Sequence, residues 1–226
     1  MNPVLMLCYN TTETQLEWTK RSIASILAQD RPIDLTVIDN GSTWPDSRPW
    51  LDSLGIMVEH HESNTSPIKH ANRYVARMFS SGAEYVLGVP DDATFPPNLY
   101  SELLSFDYSF VSAGMACESA QPPPQKAKML HNDCHFAVML ARKRAHDAIV
   151  SAFGSFFDED YFHYASDCDM KQRWRKLGIL GCQTDIQCYH YGSASWRLAT
   201  PEASLAIHAQ ADRDRATYFL KWGERL

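Results

Sequence analysis

Short apolar segments alternate with amphipathic ones through the first half of the chain, and this order constrains the fold more than any other sequence feature. Between the apolar segments, residues 12–28 and the segment that begins at Pro67 carry apolar side chains at helical spacing. Alternation of this kind is typical of βαβ units and predicts an α/β protein whose mostly parallel central sheet is flanked by helices. The four strand-like segments lie at residues 4–8, 34–39, 56–59 and 84–89.

The alternation gives way to a different pattern after residue 107. No stretch typical of a linker divides the chain, so we expect a single domain over residues 1–226, with halves of about 1–106 and 107–226. The strands of the second half are expected to form a smaller sheet, and the chain is expected to end in a helix. The predicted elements there are strands at 108–113 and 135–141 and helices at 142–153, 167–177 and about 202–221.

Composition excludes several classes of protein. The 226 residues include 21 Lys and Arg against 27 Asp and Glu, a net charge of -6, which argues against a partner bound through a nucleic-acid backbone. No apolar run approaches the roughly 18–20 residues that span a membrane, and the first residues lack the pattern of a signal peptide. The 6 cysteines contain no CxxC pair and are more typical of reduced, buried thiols than of disulfides or zinc ligands. We therefore expect a soluble, cytoplasmic protein.

Acidic residues follow two of the predicted strands. Asp91 and Asp92 come directly after the segment that ends at Pro90, and Asp39 closes the strand at 34–39. In open α/β sheets ligands bind at the carboxyl ends of the strands, and paired carboxylates there suit Mg²⁺ or Mn²⁺. Each acid taken alone is also compatible with a solvated turn, since Asp favours turns.

Two further candidates lie in the second half. Three large apolar residues repeat along one face of the helix predicted at 167–177, and Asp167 falls on that face, so we expect its carboxylate to point inward. Asp169 is expected on the outer face, paired with Arg173. His190 is a candidate nitrogen ligand for the same metal. The alternatives are a helix cap for Asp167 and a core or surface histidine for His190. The apolar repeat consists of Met170, Trp174 and Leu177.

Taken in order, these elements resemble the family 2 glycosyltransferases, which have the GT-A fold. VLMLCYN is similar to the first strand of that family, TVIDNGS to its second-strand motif, and Asn64 with Asn72 to its paired asparagines. YVLGVPDDATFPP occupies the place of the DxD-type metal motif. The stretch from HFAVML to YASDCDM resembles the segment that carries the "GGFDE" and "ED" motifs, and YHYGSAS resembles the later histidine motif.

This resemblance covers about residues 3–197 and has two departures. Pro90 stands where many relatives have the first Asp of the metal triplet, and Ser166 replaces the Glu of the "ED" pair. Arg173 and Trp174 lie inside a predicted helix and do not form the QxxRW signature of processive, membrane-bound members. We therefore expect a non-processive enzyme.

The resemblance implies metal-dependent transfer of a sugar from a nucleotide diphosphate sugar to an acceptor hydroxyl, with inversion. It makes Asp92 and His190 the ligands of Mn²⁺ or Mg²⁺ and Asp167 the general base. The expected nucleotide, by family frequency, belongs to a UDP-sugar. The acceptor is left open among a saccharide, a lipid-linked glycan, a small molecule and a protein. The implied donor-binding residues are Tyr9, Asn10, Asp39, Asn64 and Asp91, with Asp39 at the nucleotide base. Arg197, just after the histidine motif, is a candidate contact of the pyrophosphate, and the alternative is a surface arginine.

Two alternatives to a glycosyltransferase follow from the same residues. A nucleotidyltransferase can use a related fold and metal-binding acids, but usually has a Gly-rich, basic phosphate loop after its first strand, which Tyr9-Asn10-Thr11-Thr12 does not resemble. A sugar- or nucleotide-binding module without activity is compatible with the departures at Pro90 and Ser166.

Overall fold

The protein is described from a computed structural model that covers residues 2–117, 136–191 and 201–224. Its first half alternates strands and helices as the sequence predicts. These elements are β1 (Pro3–Cys8), α1 (Glu13–Leu27), β2 (Asp34–Asp39), α2 (Ser47–Asp52), β3 (Met57–His60), α3 (Pro67–Ser80), β4 (Tyr85–Pro90), β5 (Ala93–Thr94) and α4 (Leu99–Leu104). The second half contains β6 (Phe110–Cys117), β7 (Met139–Arg142), α5 (Lys143–Phe153), α6 (Ser166–Leu177), β8 (Gly181–His190) and α7 (Pro201–Trp222).

The described strands form one sheet of eight strands in the order β3-β2-β1-β4-β7-β6-β8-β5. β1, β2, β3 and β4 pair in parallel, as do β6 and β8, whereas β7 is antiparallel to both of its neighbours and β5 to β8. The predicted α/β class, with a mostly parallel sheet flanked by helices, is confirmed. The expected separate smaller sheet is not present among the described residues, because β7 pairs with β4 and thereby joins the strands of the second half to the first sheet.

The two faces of this sheet each cover a hydrophobic core. Successive side chains of a strand point to opposite faces, so Val4 and Met6 of β1 pack in one core and Leu5 packs in the other. The first core includes residues of α1 and α4, and the second includes residues of α3, α5 and α6. This burial on both faces explains why β1 reads as a continuous apolar run in the sequence.

The strand register brings the functional candidates of the first half to one edge of the sheet. Cys8 pairs with Asp39, and Leu7 pairs with Pro90, so β1, β2 and β4 end at nearly the same level. The loops that follow these strands therefore meet at their shared carboxyl edge. No helix among the described residues is long and apolar enough to cross a membrane.

Candidate active site

A cleft of about 460 Å³ lies at this carboxyl edge. The loops after β1, β2 and β4 contribute to its wall, together with α1, the segment before α6, and α7 from the end of the chain. Its lining residues include Cys8, Tyr9, Gln15, Trp18, Asn40, Asn64, Asp91, Asp92, His163, Gln210 and Arg213. The cleft thus collects polar groups from both halves of the chain, as expected of a site for a polar ligand.

Asp91 and Asp92 lie side by side in the wall of the cleft. Burial, together with the neighbouring charge of Asp92, raises the pKa of the Asp91 carboxyl to about 7. The Thr19 hydroxyl lies 3.4 Å from Asp91 Oδ2 and offers it a hydrogen bond. The main-chain N–H groups of Asp91 and Tyr9 also bind this carboxylate, and the two adjacent acids favour a cation at the site.

Asp92 and His190 meet although they are separated by 98 residues in the sequence. The Nε2 atom of His190 lies 2.9 Å from Asp92 Oδ1, and this hydrogen bond raises the pKa of the imidazole. The contact follows from strand pairing, because β5 lies antiparallel to β8 with Ala93 opposite His190. The main-chain N–H of Tyr191 also donates to Asp92 O, at 2.9 Å.

These side chains suit a divalent cation chemically, because Mg²⁺ and Mn²⁺ take carboxylate oxygens and Mn²⁺ also takes imidazole nitrogen. Within residues 2–117, 136–191 and 201–224, no group of three or more His, Cys, Asp and Glu side chains is arranged to hold a metal ion. Asp92 and His190 would therefore supply part of a coordination shell that a ligand's phosphate oxygens and water complete. Asp91 precedes Asp92 and also lines the cleft, so its carboxylate is a candidate for a further oxygen ligand of the cation.

Asp39 is buried behind the cleft and does not line it. Its Oδ1 atom accepts a hydrogen bond from Ser42 N at 2.9 Å, and its Oδ2 atom lies 2.8 Å from His60 Nδ1. The turn that it closes contains Gly41, whose φ is +79°. A Cβ on Gly41 would lie 2.5 Å from the carbonyl carbon of Ser63, so only glycine fits there. Asp39 thus holds the loop that carries Asn40 into the cleft.

The other donor-binding candidates of the first half differ in whether they line the cleft or lie buried behind its wall. Tyr9 and Asn64 line the cleft, and Asn64 Oδ1 accepts a hydrogen bond from Asn40 Nδ2 at 2.9 Å. Asn10 is fully buried next to them and accepts a hydrogen bond from the Thr19 hydroxyl at 2.9 Å. Its Nδ2 group has no hydrogen-bond partner among the described residues, which leaves one buried donor available. Arg197 lies outside the residues that the structure describes.

The orientation predicted for α6 is wrong by part of a turn. Asp167 is exposed at the start of the helix and Leu177 is exposed at its end, whereas Asp169 is only 1% exposed. The buried face includes Asp169, Met170, Arg173 and Trp174. Asp167 therefore does not point into the core, and the inner carboxylate is the one that was expected outside. The expected pair of Asp169 with Arg173 does form, at 2.7 Å, but it is buried.

Asp169 is stable in the core because it has several charged and polar partners. Besides Arg173, its carboxylate accepts hydrogen bonds from Lys221 Nζ at 2.6 Å and from the indole N–H of Trp222 at 2.9 Å. Asp158 extends the network, 3.1 Å from Arg173 Nη2. Lys221 and Trp222 belong to α7, so this network fastens the last helix to α6. Trp174 stacks on Phe110 with ring centroids 4.0 Å apart, which is a packing role.

A strained residue stands immediately before α6. Ala165 adopts a left-handed conformation with φ of 59°, the only non-glycine residue with positive φ among those described. Such a conformation is held only where neighbouring contacts fix it. Asp214 of α7 supplies these contacts, because its buried carboxylate accepts hydrogen bonds from the main-chain N–H groups of three consecutive residues. These are Phe162 at 3.0 Å, His163 at 2.9 Å and Tyr164 at 2.7 Å.

The contribution of α7 to the cleft was missed in the sequence. Gln210 and Arg213 of this helix line the cleft, and Gln210 Nε2 donates to Asp214 Oδ1 at 2.8 Å. The C-terminal segment is polar with scattered apolar positions and matches none of the motifs of the resemblance. The one available signal was Asp214, an acid within a predicted helix.

Comparison with known proteins finds likeness in structure and none in sequence. No protein-family model matches the chain, and no curated protein matches it. The structure is similar to residues 1–349 of TarS from S. aureus in complex with UDP-GlcNAc, with a TM-score of 0.61 and 15% identity over 94% of this chain and 66% of that one. It is also similar to the mannosyltransferase PcManGT from Pyrobaculum calidifontis in complex with GDP-Man and Mn²⁺, with a TM-score of 0.59 and 17% identity over 94% of this chain and 70% of that one.

These likenesses confirm the GT-A-like fold that the resemblance implied. At this level of identity they concern the fold alone. The chain spans 65% of TarS 1–349 in a further crystal structure and 42% of the longer TarS structure, so these proteins have regions that the chain does not match.

Proposed function

We propose that the protein is a metal-dependent, inverting glycosyltransferase that transfers a sugar from a nucleotide diphosphate sugar to an acceptor hydroxyl. The observation that carries the proposal is the meeting of Asp92 and His190, 2.9 Å apart, in a cleft at the carboxyl edge of a GT-A-like sheet. Structural neighbours crystallised with UDP-GlcNAc, or with GDP-Man and Mn²⁺, support a ligand of this class.

The donor is proposed to bind between the loops after β1, β2 and β4. Tyr9 and Asn64 form part of the wall, and Asn10 offers a buried N–H donor. Asp39 is proposed to contact the nucleotide base, or to act on it through the turn that it braces. Arg197 stays a proposed contact of the pyrophosphate. The default nucleotide is UDP, and the acceptor classes are a saccharide, a lipid-linked glycan, a small molecule and a protein.

Mn²⁺ or Mg²⁺ is proposed to bind at Asp92 and His190, with Asp91 beside them. Bound there, the cation would neutralise charge that develops on the leaving nucleoside diphosphate. Because both carboxylates line the cleft, a cation held there would fix where the diphosphate lies. Such electrostatic positioning is a large part of the catalysis of group transfer.

Asp167 is proposed as the general base that takes the proton from the acceptor hydroxyl. Its exposure supports this role better than the inward orientation expected from the sequence, because an acceptor must reach the carboxylate from solvent. The fixed loop at 162–164 and the strained Ala165 would hold Asp167 in place.

A thermal-shift screen of nucleotide sugars tests the proposal. A donor at about 100 times its Kd should stabilise the protein by about 2.7 kcal/mol, and the stabilisation should need Mn²⁺ or Mg²⁺. A selective donor that is then hydrolysed to a nucleoside diphosphate supports a transferase. Release of inorganic pyrophosphate from a nucleoside triphosphate and a sugar phosphate would instead identify a nucleotidyltransferase. A donor that binds and is neither hydrolysed nor transferred would identify a binding module.

A further inference from the structure

The proposed donor creates an electrostatic problem in the cleft. A nucleoside diphosphate carries several negative charges, and Asp91 and Asp92 add two more carboxylates to the same wall. Like charges at a few ångströms in a partly buried site repel strongly. One divalent cation at Asp92 and His190 would offset only part of this combined negative charge. A second positive group in the cleft would therefore strengthen binding of the diphosphate, beside the proposed contact of Arg197.

Among the described residues that line the cleft, Arg213 is the one Lys or Arg side chain. Its Nε and Nη2 groups both donate to Gln210 Oε1, at 3.1 Å and 2.5 Å. Gln210 is a neutral partner, so the positive charge is not compensated by it. Arginine has five N–H donors, and the contact with Gln210 does not use those of Nη1.

A neighbouring arginine of the same helix provides a contrast. Arg215 pairs with Asp212 at 3.0 Å, and both side chains are largely exposed. Arg215 does not line the cleft, whereas Arg213 does and has no ion pair with a described carboxylate. Both arginines are exposed and lie two positions apart on one helix, so the difference between them is that Arg213 lines the cleft.

The helix that carries Arg213 is held firmly at this point. Asp214, the next residue, binds three main-chain N–H groups of the segment before α6, and Gln210 connects Asp214 to Arg213. Two turns further on, Lys221 and Trp222 bind Asp169. The helix that carries the guanidinium is therefore fixed at this point before a ligand binds, which favours affinity.

We propose that Arg213 binds the diphosphate of the nucleotide donor and thereby extends the donor site onto α7. This inference rests on the proposed function. A planar guanidinium can donate two parallel hydrogen bonds to phosphate oxygens, and Gln210 sets the plane of that group. Arg213 would act together with the cation on the charge that the leaving group develops.

Calorimetry on the whole chain with Mn²⁺ present tests this role. The probes are UDP and GDP, their monophosphates, and the free nucleosides uridine and guanosine. Arg213→Gln should weaken binding of the preferred diphosphate by about 10- to 100-fold and leave the affinity for its nucleoside unchanged. Arg213→Lys should recover part of the loss, since it keeps the charge but not the fork. Arg215→Gln removes the same charge from the same helix and should have no effect.

The outcomes separate the inference from the function on which it rests. Diphosphate affinity within twofold of the wild type in Arg213→Gln would overturn the role of Arg213. Equal losses for diphosphate and nucleoside, or an equal loss in Arg215→Gln, would also overturn it, because the effect would then come from the helix or from net charge. Failure of the wild type to bind any of the diphosphates would overturn the proposed function itself.

Discussion

The two sides of the cleft differ in how their geometry arises. On the side of β1, β2 and β4, the candidate residues follow directly from strand ends, and parallel pairing alone brings them together. On the side of α6 and α7, positions depend on contacts between residues about fifty positions apart, such as Lys221 with Asp169. The first side is therefore a consequence of local pattern, and the second is a consequence of tertiary packing.

Asp167 and Asp169 lie within one turn of α6 and illustrate this difference. Asp167 is exposed and carries the proposed chemistry, while Asp169 is buried and holds α6 to α7. Substituting each by Asn removes one charge with almost no change in size, so the pair serves as a matched test of catalysis against packing.

The largest expected effect is on turnover. Asp167→Asn should lower the rate of sugar transfer by roughly 10²–10⁴, the usual contribution of a general base, because the amide cannot accept the proton. Donor affinity and melting temperature should change little, since the side chain is exposed. Steady-state kinetics with the donor found in the screen measure this. Normal turnover in the variant would remove Asp167 from the catalytic role.

The next effect is on stability and belongs to Asp169. Asp169→Asn should lower the free energy of unfolding by about 3 kcal/mol, because it leaves buried positive groups with weaker partners. The value stays at the lower end for a broken buried pair because Asp158 still contacts Arg173. Urea denaturation measures the change. Equal stability of the Asp167→Asn and Asp169→Asn variants would contradict the assignment of packing to one residue and chemistry to the other.

The smallest of these effects concerns the strand-end side. Asp39→Ala should weaken nucleotide binding by about 1.5–3 kcal/mol if the carboxylate hydrogen-bonds to the base. Asp52→Ala is the matched control, because Asp52 contacts the other nitrogen of the same histidine, His60, at 3.0 Å but lies in the open. Calorimetry with UDP and GDP compares the two variants. Unchanged affinity for every nucleotide in Asp39→Ala would restrict Asp39 to bracing its turn.

The sequence predicted most of the first half and the contact of Asp92 with His190, since strand ends and family order both point to the same edge. It did not predict how α6 is rotated about its axis. The spacing of Met170, Trp174 and Leu177 fits one apolar face. In the structure Asp169 lies on the buried face and Leu177 does not, because the hydrogen-bond partners of Asp169 come from α7. β8 was also missed, because its sequence GCQTDIQCYH mixes polar residues into a strand that is buried only at some positions. No local sequence pattern pointed to Arg213, because its position in the cleft depends on the hydrogen bonds between Asp214 and a loop distant in sequence.

The central claim is that Asp92 and His190 hold a cation that the donor requires. Hydrolysis of the selected nucleotide sugar, measured over a series of Mn²⁺ concentrations, tests it in the wild type and in Asp92→Ala. Asp185→Ala is the control, because Asp185 is an exposed carboxylate on β8, the strand that carries His190. We expect activity that rises with Mn²⁺ and is abolished by EDTA in the wild type and in Asp185→Ala, and nearly complete loss in a folded Asp92→Ala. Wild-type activity in Asp92→Ala, or full activity in the presence of EDTA, would contradict the claim.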